Sequence, residues 1–561
     1  MAKKKYKQEM RKQLKEFVFE ENFSIGGVSA EDDPLLDVSF LETNHYASIV
    51  DMDDPHFALV GRSGTGKTAI INRIKKQFQH HIVIKPETLA FQFLGTSDMV
   101  NTLREKNVTL DYFYKLLWRH VFVVEILKHY FPDETNRVAS IRQLFSNLKK
   151  PFAKDKEKER AMGYMDQWGA TLLQAPEERV KNIHDTLEKQ IKAKLGGTGK
   201  LSQLLSIDAN IEGGLKSTRE IAEKISIVKQ EINTIQIQDL NAARDYISAA
   251  VLDDPQKPCF VLIDDLDRFL AEDNLYYELI RALILESYDW ARVENIKVVY
   301  ALRDNILHKV EADFTTKSYQ REKFEDHRIH LRWIKTELIN LVDERLSSIS
   351  KLKKLDTVIS TKQILPPKSG DKPKGEDYML ARTLERPRDI IDFINRAGKL
   401  SVGKKRIPWV VINRVESSYS RGRMDALIDE WRDNCEGLEE LLKLLRNGPP
   451  RFPLLWWSDQ DITELLTDHN FTSKGWCSEL ASLFDNLNKQ NPQNAINTCR
   501  KKILQLLYEV GIVGVKISAS DPFRYCYTNG AVLQDYEITQ IQNPMVIVHP
   551  TFHKALGIQT I

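Results

Sequence analysis

The chain has 561 residues, 42% of them hydrophobic, and 81 Lys+Arg against 79 Asp+Glu give a formal net charge of +2. That length exceeds one ordinary core and implies about two to four packed units, while the composition excludes a largely disordered chain. A near-neutral charge means that any polyanionic partner has to be argued from a local patch. The five cysteines (Cys259, Cys435, Cys477, Cys499 and Cys526) form no C-x-x-C pair, which argues against a disulfide framework or a zinc site and suits a reducing cytosol.

The start, MAKKKYKQEMRKQLK, is basic but is followed by EFVFEE, without the apolar core of a secretory signal. Residues 1–20 read as a charged helical lead-in, and apolar spacing predicts a helix from about Leu35 to Val50. FALV at Phe57–Val60 has the profile of a short buried strand closed by glycine. Thr68–Phe78 has helical spacing, with Ile70, Ile71, Ile74 and Phe78 on one side, and HIVIKP at His81–Pro86 is a second strand stopped by proline. The apolar helical stretch from Leu110 carries Lys115, Arg119, His120 and Glu125. Each central charge costs roughly 2.5–3.5 kcal/mol on insertion, so it is a core helix and no membrane span is expected.

From about 100 to 250 the pattern is helical, with a Lys/Glu-rich middle and two glycine joints, LGGTGK and IEGGLK. Strand-like runs return at CFVLID (Cys259–Asp264), KVVYALR (Lys297–Arg303) and RIHLRW (Arg328–Trp333). Hydrophobic strands alternating with helices predict a parallel α/β sheet. From Ile334 to about Leu400 the pattern is helical, broken by the loop ILPPKSGDKPKGED. The remainder predicts a helix at about Ala495–Val510 followed by strands IVGVKI, FRYCYT and MVIVHP.

The chemistry concentrates in four strings. G-R-S-G-T-G-K-T at Gly61–Thr68 fits G-x-x-x-x-G-K-[ST] between a strand and a helix, the setting in which backbone N–H groups and a helix N-terminus cradle phosphates. Gly61, Arg62, Ser63, Gly64, Thr65, Gly66, Lys67, Thr68 and Ala69 form this phosphate site, with Lys67 as the point charge and Thr68 as a Mg²⁺ ligand. A second glycine string, Gly196–Leu201, lacks both a preceding strand and the hydroxyl ligand, and is a joint. FVLIDDLDR at Phe260–Arg268 is a Walker B arrangement: Asp264 would hold Mg²⁺ and Asp265 would orient the attacking water. Arg303, ending KVVYALR, is a candidate cation toward the terminal phosphate, against a salt bridge with Asp304. In LERPRDIIDFINRA, Pro387 favours a helix start, and Arg386 and Arg388 fall at an N-terminus whose dipole disfavours cations. Contact with nucleotide, capping and interdomain ion pairs all remain open for these two arginines. Arg268 reads as a structural ion pair or a finger toward a neighbouring subunit.

With AEDDPLL, GRSGTGKTA, LIDDLDR, YALRDN, the YQREKFEDHRIHLRW–LINLVDERL stretch and ERPRDIIDFINR in place, the chain resembles the AAA+/STAND branch of P-loop ATPases. Within it, the chain looks closest to the bacterial KAP and origin-recognition-like groups. The resemblance implies an α/β fold: a five-stranded parallel P-loop NTPase core with a central P-loop strand, a helical insertion, a helical lid and a C-terminal winged-helix-like α+β domain. It divides the chain into a basic lead-in at 1–24, the first part of the core at 25–130, the insertion at 131–250 and the second part of the core at 251–335. The lid then covers 336–405 and the C-terminal domain 406–561. It implies ATP and Mg²⁺ as cofactors, with Glu42–Val50 beside the base, and Arg303 in the role called sensor 1. Asp265 departs from the glutamate common at its position, so turnover would be slow or partner-activated.

Three functions stay open. The first is an ATP-driven switch, cytoplasmic, acting through a partner protein or as a homo-oligomer, in bacterial defence or mobile-element biology. The second is a nucleic-acid-binding ATPase using the winged helix at Arg500, Lys501 and Lys502 together with the basic first fifteen residues. The third is a scaffold in which nucleotide is structural.

Overall fold

The computed structural model describes residues 16–559 apart from the segments 90–91, 134–135, 144–175, 206–221, 231–240, 242–243, 249–251, 267–273, 315–320, 433–434, 530–532 and 534–542 and scattered single positions. The lead-in over 1–15, the IEGGLK joint and Arg268 therefore lie outside the described residues. In chain order the elements that matter are α1 (Asn44–Val50), β1 (Ala58–Val60), α2 (Lys67–Gln77), β2 (His81–Ile84), α3 (Asp111–Tyr130), α4 (Pro176–Lys194), β3 (Cys259–Ile263), α5 (Asn274–Trp290), β4 (Ile296–Leu302), α6 (Asp304–Phe314) and β5 (Arg328–His330). Then follow α7 (Lys335–Leu352), α8 (Pro387–Lys399), α9 (Trp409–Trp431), β6 (Arg451–Pro453), α10 (Asp459–Thr467), α11 (Gly475–Asn488), α12 (Pro492–Val510), β7 (Val513–Lys516) and β8 (Met545–Val548).

The chain forms two units, one of residues 44–60 and 74–329, the other of 1–43, 61–73 and 330–561. The first holds a five-stranded sheet in the order β2-β3-β4-β1-β5. β2 pairs β3, β3 pairs β4 and β4 pairs β1, all parallel. The P-loop strand β1 is thus interior but one place off centre, the middle position belonging to β4. Every residue of β1, β3 and β4 is buried, as two covered sheet faces require, which is why these strands read as unbroken apolar runs.

The charged residues that broke the apolar pattern of α3 have partners. Arg119 donates through Nε and Nη2 to the Glu286 carboxylate of α5, each at 2.6 Å, and through Nη2 to Asp289 at 2.7 Å. Trp290 Nε1 shares Glu286 at 2.9 Å. The pair is a buried, hydrogen-bonded charge on a helix–helix seam, the form in which such charges are tolerated. No helix among the described residues is long and apolar enough to cross a membrane.

Two expected elements differ. The helix expected from Leu35 is confined to Asn44–Val50; Leu36 and Ser39 instead close turns on Asp33 and Leu35 through backbone bonds. Buried Lys297 then tethers the end of α1, its Nζ donating to the carbonyls of Asp51 and, at 2.9 Å, Asp54. FRYCYT is not a strand: Arg524 makes one bridge to Val515, and Cys526–Asn529 is a helical turn. The third strand comes from β6, far upstream, giving an antiparallel sheet in the order β6-β8-β7. With α10, α11 and α12 it completes an α+β C-terminal region around one apolar cluster that includes Leu465, Phe484, Leu504 and Val546.

His549, just past β8, is buried; its Nδ1 accepts from Thr551 N at 3.2 Å and its ring packs on Tyr525. Burial foremost, with His553 nearby, pushes its pKa down to about 3. The unfolded histidine titrates near 6.5, so on acidification through that value the unfolded chain takes up a proton the folded one refuses. Stability is therefore expected to fall below about pH 6.5, at up to about 1.4 kcal/mol per pH unit for this group. Urea melts at pH 7 and pH 5 check this; His549→Asn, which keeps an acceptor, is expected to flatten the difference.

Candidate nucleotide site

β1, β3 and β4 run parallel, so their carboxyl ends share one edge of the sheet, the edge at which α/β folds bind ligands. Gly61, Asp264 and Arg303 are the residues that follow those ends. Register fixes the relation of the strands: Val60 lies opposite Leu302 and Ile263 opposite Tyr300.

The acidic end of β3 is held tightly. Asp265 N donates to Asp264 Oδ1 at 2.9 Å, and Tyr276 Oη donates to the Leu266 carbonyl at 2.6 Å. Asp265 has φ +56°, a left-handed conformation that aspartate adopts more readily than most non-glycine residues. Arg303 is half-buried at the end of β4, where α6 begins.

The loop Gly61–Thr68 turns on two left-handed glycines, Gly64 (φ +79°) and Gly66 (φ +100°). Thr65 Oγ1 donates to the Arg62 carbonyl at 2.8 Å, and Trp333 Nε1 donates to the Thr65 carbonyl at 2.8 Å. Lys67 Nζ donates to the carbonyls of Gly61 (2.6 Å) and Arg62 (3.0 Å), which points the ammonium back along the loop. Thr68 and Ala69 open the first turn of α2. Each unit by itself offers groups that suit a magnesium–nucleotide: in the loop, glycine-permitted backbone N–H groups and a helix start suit phosphate and the Thr68 hydroxyl is a hard oxygen donor, while at the end of β3 the Asp264 carboxylate is another of the kind Mg²⁺ takes. A Cβ on Gly64 would stand 2.9 Å from Arg388 Cβ. Gly64→Val is therefore expected to lower the melting temperature and ATP affinity together, read by thermal shift and calorimetry, whereas an effect on neither would show the loop to be slack.

Both arginines at the start of α8 grip this loop. Pro387 sits at the first helical position, as its fixed φ favours. Arg386 Nη1 donates to the Ser63 carbonyl at 3.0 Å and Arg388 Nη1 to Ser63 Oγ at 2.9 Å. Arg386 is also an ion-pair residue, its Nε 3.1 Å from Asp389 Oδ2 and its Nη1 3.6 Å from Glu430. The ion pairs of Arg386 thus lie within α8 and toward α9, and its further contact is with the loop backbone. Burial works against its charge, but Asp389 and Glu430 outweigh it and hold the guanidinium above its ordinary value. Burial and then the neighbouring Arg386 pull Arg388 below its own. Asp389, fully buried, accepts from Leu384 N (3.0 Å), Arg386 and Arg423 (3.1 Å).

Three features escaped the sequence. Arg62, in the variable part of the loop, donates to the Val510 carbonyl at the end of α12 and to Cys526 Sγ at 3.2 Å. Gly511 is glycine for that reason: it caps α12 at φ +92°, and a Cβ there would collide with the Arg62 guanidinium. Trp333 closes the RIHLRW run, and nothing in that pattern points to its bond with Thr65. Arg500, expected to face a phosphate backbone at the head of a recognition helix, is instead buried in the middle of α12, donating to the Trp457 carbonyl (3.0 Å), Asn497 (2.6 Å) and Asp459. Helical spacing gave a signal for this, since Arg500 shares a face with Ile503, Leu504 and Leu507, all buried.

Comparison with known proteins agrees with these elements. Residues 42–326 match the KAP family P-loop domain, and residues 336–428 match the FunZ-associated C-terminal helical domain. An 80.3 kDa protein of Escherichia coli (strain K12) named for transposon gamma-delta is 21% identical over 543 residues, spanning 95% of this chain and 67% of that protein. A solved structure, the Walker-type ATPase paby2304 of Pyrococcus abyssi, aligns over 82% of this chain and 96% of its own at 12% identity and TM-score 0.31.

Proposed function

Because the chain belongs to the KAP family of P-loop NTPases, we propose that it is an ATP- and Mg²⁺-dependent molecular switch with slow hydrolysis. The observation that carries this reading is the double grip on the P-loop: Arg386 and Arg388 of α8 on Ser63, and Arg62 on the end of α12. Whatever reshapes the loop must alter both grips, so phosphate binding is coupled to the lid and to the C-terminal region through contacts rather than distance alone.

Lys67 would leave the Gly61 and Arg62 carbonyls for the terminal phosphates, which releases the backbone that carries Arg62. Mg²⁺, held by Thr68 and Asp264, would neutralise charge on the phosphate oxygens. Asp265 would orient the water whose oxygen bonds to the γ-phosphorus as the bond to ADP breaks, and Arg303 would stabilise charge on the transferring group. The place of Asp265 directly after Asp264 at the end of β3 supports its part in this, and the aspartate's short reach supports slow turnover. The output is a partner protein or a second copy of the chain in the cytoplasm, and the transposon in the E. coli relative's name supports a setting in mobile-element biology.

Hydrogen exchange of the full chain with ATP and with ADP tests the coupling. The switch reading expects nucleotide-dependent exchange at α8 and around residues 507–515, with Arg62→Ala abolishing the response at 507–515 while ATP still binds. Exchange that changes only within 61–77 would leave nucleotide as a structural ligand and overturn the switch.

A further inference from the structure

The lid carries a strongly basic surface that the nucleotide site does not use. Residues 351–374 contain seven Lys or Arg against two Asp, and residues 399–406 contain four against none. Backbone and side-chain contacts bring the two segments together. Ile407 N donates to the Ile364 carbonyl at 2.7 Å, Arg406 Nε donates to the Gln363 carbonyl at 3.0 Å, and Lys372 Nζ lies 5.8 Å from the Trp409 ring centre. The strand of chain at Phe19 joins them on one side, exchanging backbone bonds with Gly403 and Lys404, each 2.9 Å, while Glu20 meets Lys353 at 2.7 Å.

Lys362, Lys368, Lys372, Lys404 and Arg406 are all exposed. Among the described residues none of these five makes an ion pair. A protein that scatters its charge to stay soluble mixes the two signs; here eleven cations meet two acidic residues within the segments, and among the described residues the acidic groups seen against them are Glu16, Glu20, Asp343 and Glu376.

We infer that this face of the lid binds the phosphate backbone of duplex nucleic acid without regard to sequence. Duplex DNA presents one negative charge per about 1.7 Å of axis, a density that suits a broad run of lysines on neighbouring loops. A lipid surface fits less well, because the exposed apolar residues here are all aliphatic (Leu352, Val358, Leu400, Val402, Val410) and among the described residues no exposed aromatic accompanies them. Trp409 is packed edge-on against Tyr378 at 5.1 Å. The site differs from the α12 surface expected from sequence, and it stands whether or not the nucleotide acts as a switch.

The test is fluorescence anisotropy of the full chain with a labelled 30-base-pair duplex of arbitrary sequence, over a salt series and without nucleotide. The wild type is expected to bind with a steep salt dependence, since each phosphate neutralised adds about −0.9 to the slope of log K against log salt. Lys362→Glu/Lys368→Glu/Lys404→Glu is expected to weaken binding at least about 10-fold and to flatten the slope by about 2–3, with melting temperature and ATP affinity unchanged. The same three positions changed to Gln cover the case in which the reversed charges disturb folding, with a smaller loss in the same direction. Absence of binding at low salt would overturn the inference. So would a loss that follows Lys501→Glu/Lys502→Glu instead, or binding to phosphatidylserine vesicles with none to the duplex.

Discussion

Asp389→Ala is expected to destabilise the unit of residues 1–43, 61–73 and 330–561 by about 3–5 kcal/mol, the cost of removing one partner from a buried charge cluster. Asp389 is fully buried and receives Leu384 N, Arg386 and Arg423, so alanine strands a backbone donor and leaves the two guanidinium groups only Glu430 and Asp392 as carboxylate partners. Burial alone would raise this carboxyl, but Arg386 and Arg423 bring its pKa down to about 2. Its folded value therefore lies below the unfolded one. The stability it contributes is present above about pH 4 and is lost as pH falls toward 2. Asp389→Asn retains an acceptor and the side-chain volume and is expected to cost less. Denaturant melts at pH 7 and pH 3.5 check both points, and a cost for the alanine below about 1 kcal/mol would mean that the arginines find other partners. Because Asp389 holds Arg386 against Ser63, ATP affinity of the asparagine variant is expected to fall even where the protein remains folded.

Lys67→Ala is expected to lower ATP turnover by on the order of 10²-fold or more, the scale on which a single preorganised charge acts at a phosphoryl or oxyanion centre. In this protein the same ammonium also bonds the Gly61 and Arg62 carbonyls, so alanine removes a brace of the loop as well as the charge. Lys67→Arg keeps the charge but not the compact point geometry, and it is expected to keep most of the melting temperature while losing turnover. Calorimetry, thermal shift and phosphate release on the three proteins separate the brace from the charge. Turnover preserved in the alanine variant would remove Lys67 from the chemistry.

What could be read in the sequence was local. A buried strand, a glycine turn and a helix follow one another within Phe57–Phe78, so the P-loop announced itself, and the apolar runs that became β3 and β4 ended on Asp264 and Arg303. Pro387 marked the start of α8 for the same reason: its effect on the backbone needs no distant partner. Contacts between residues far apart in the chain leave no such periodic trace. Arg62 reaching Val510, Trp333 holding Thr65 and β6 joining β8 all depend on tertiary placement. ERPRD drew attention to its arginines, yet the fully buried group in it is Asp389, the carboxylate that makes their burial tolerable. FRYCYT has strand-like composition, but after one bridge its chain turns helical at Cys526, where tertiary context overrides propensity. For Arg500, position on the helix face outweighs charge: it lies among the buried apolar side chains of α12.

Phosphate release by the wild type and Asp265→Asn under saturating Mg²⁺–ATP, with ATP affinity measured on the same samples, tests the central claim most directly. The account predicts slow release by the wild type, and a loss of about 10²-fold in the variant with ATP bound as tightly as before. Equal release by the two proteins, or ATP bound by the wild type with no release at all, would contradict it.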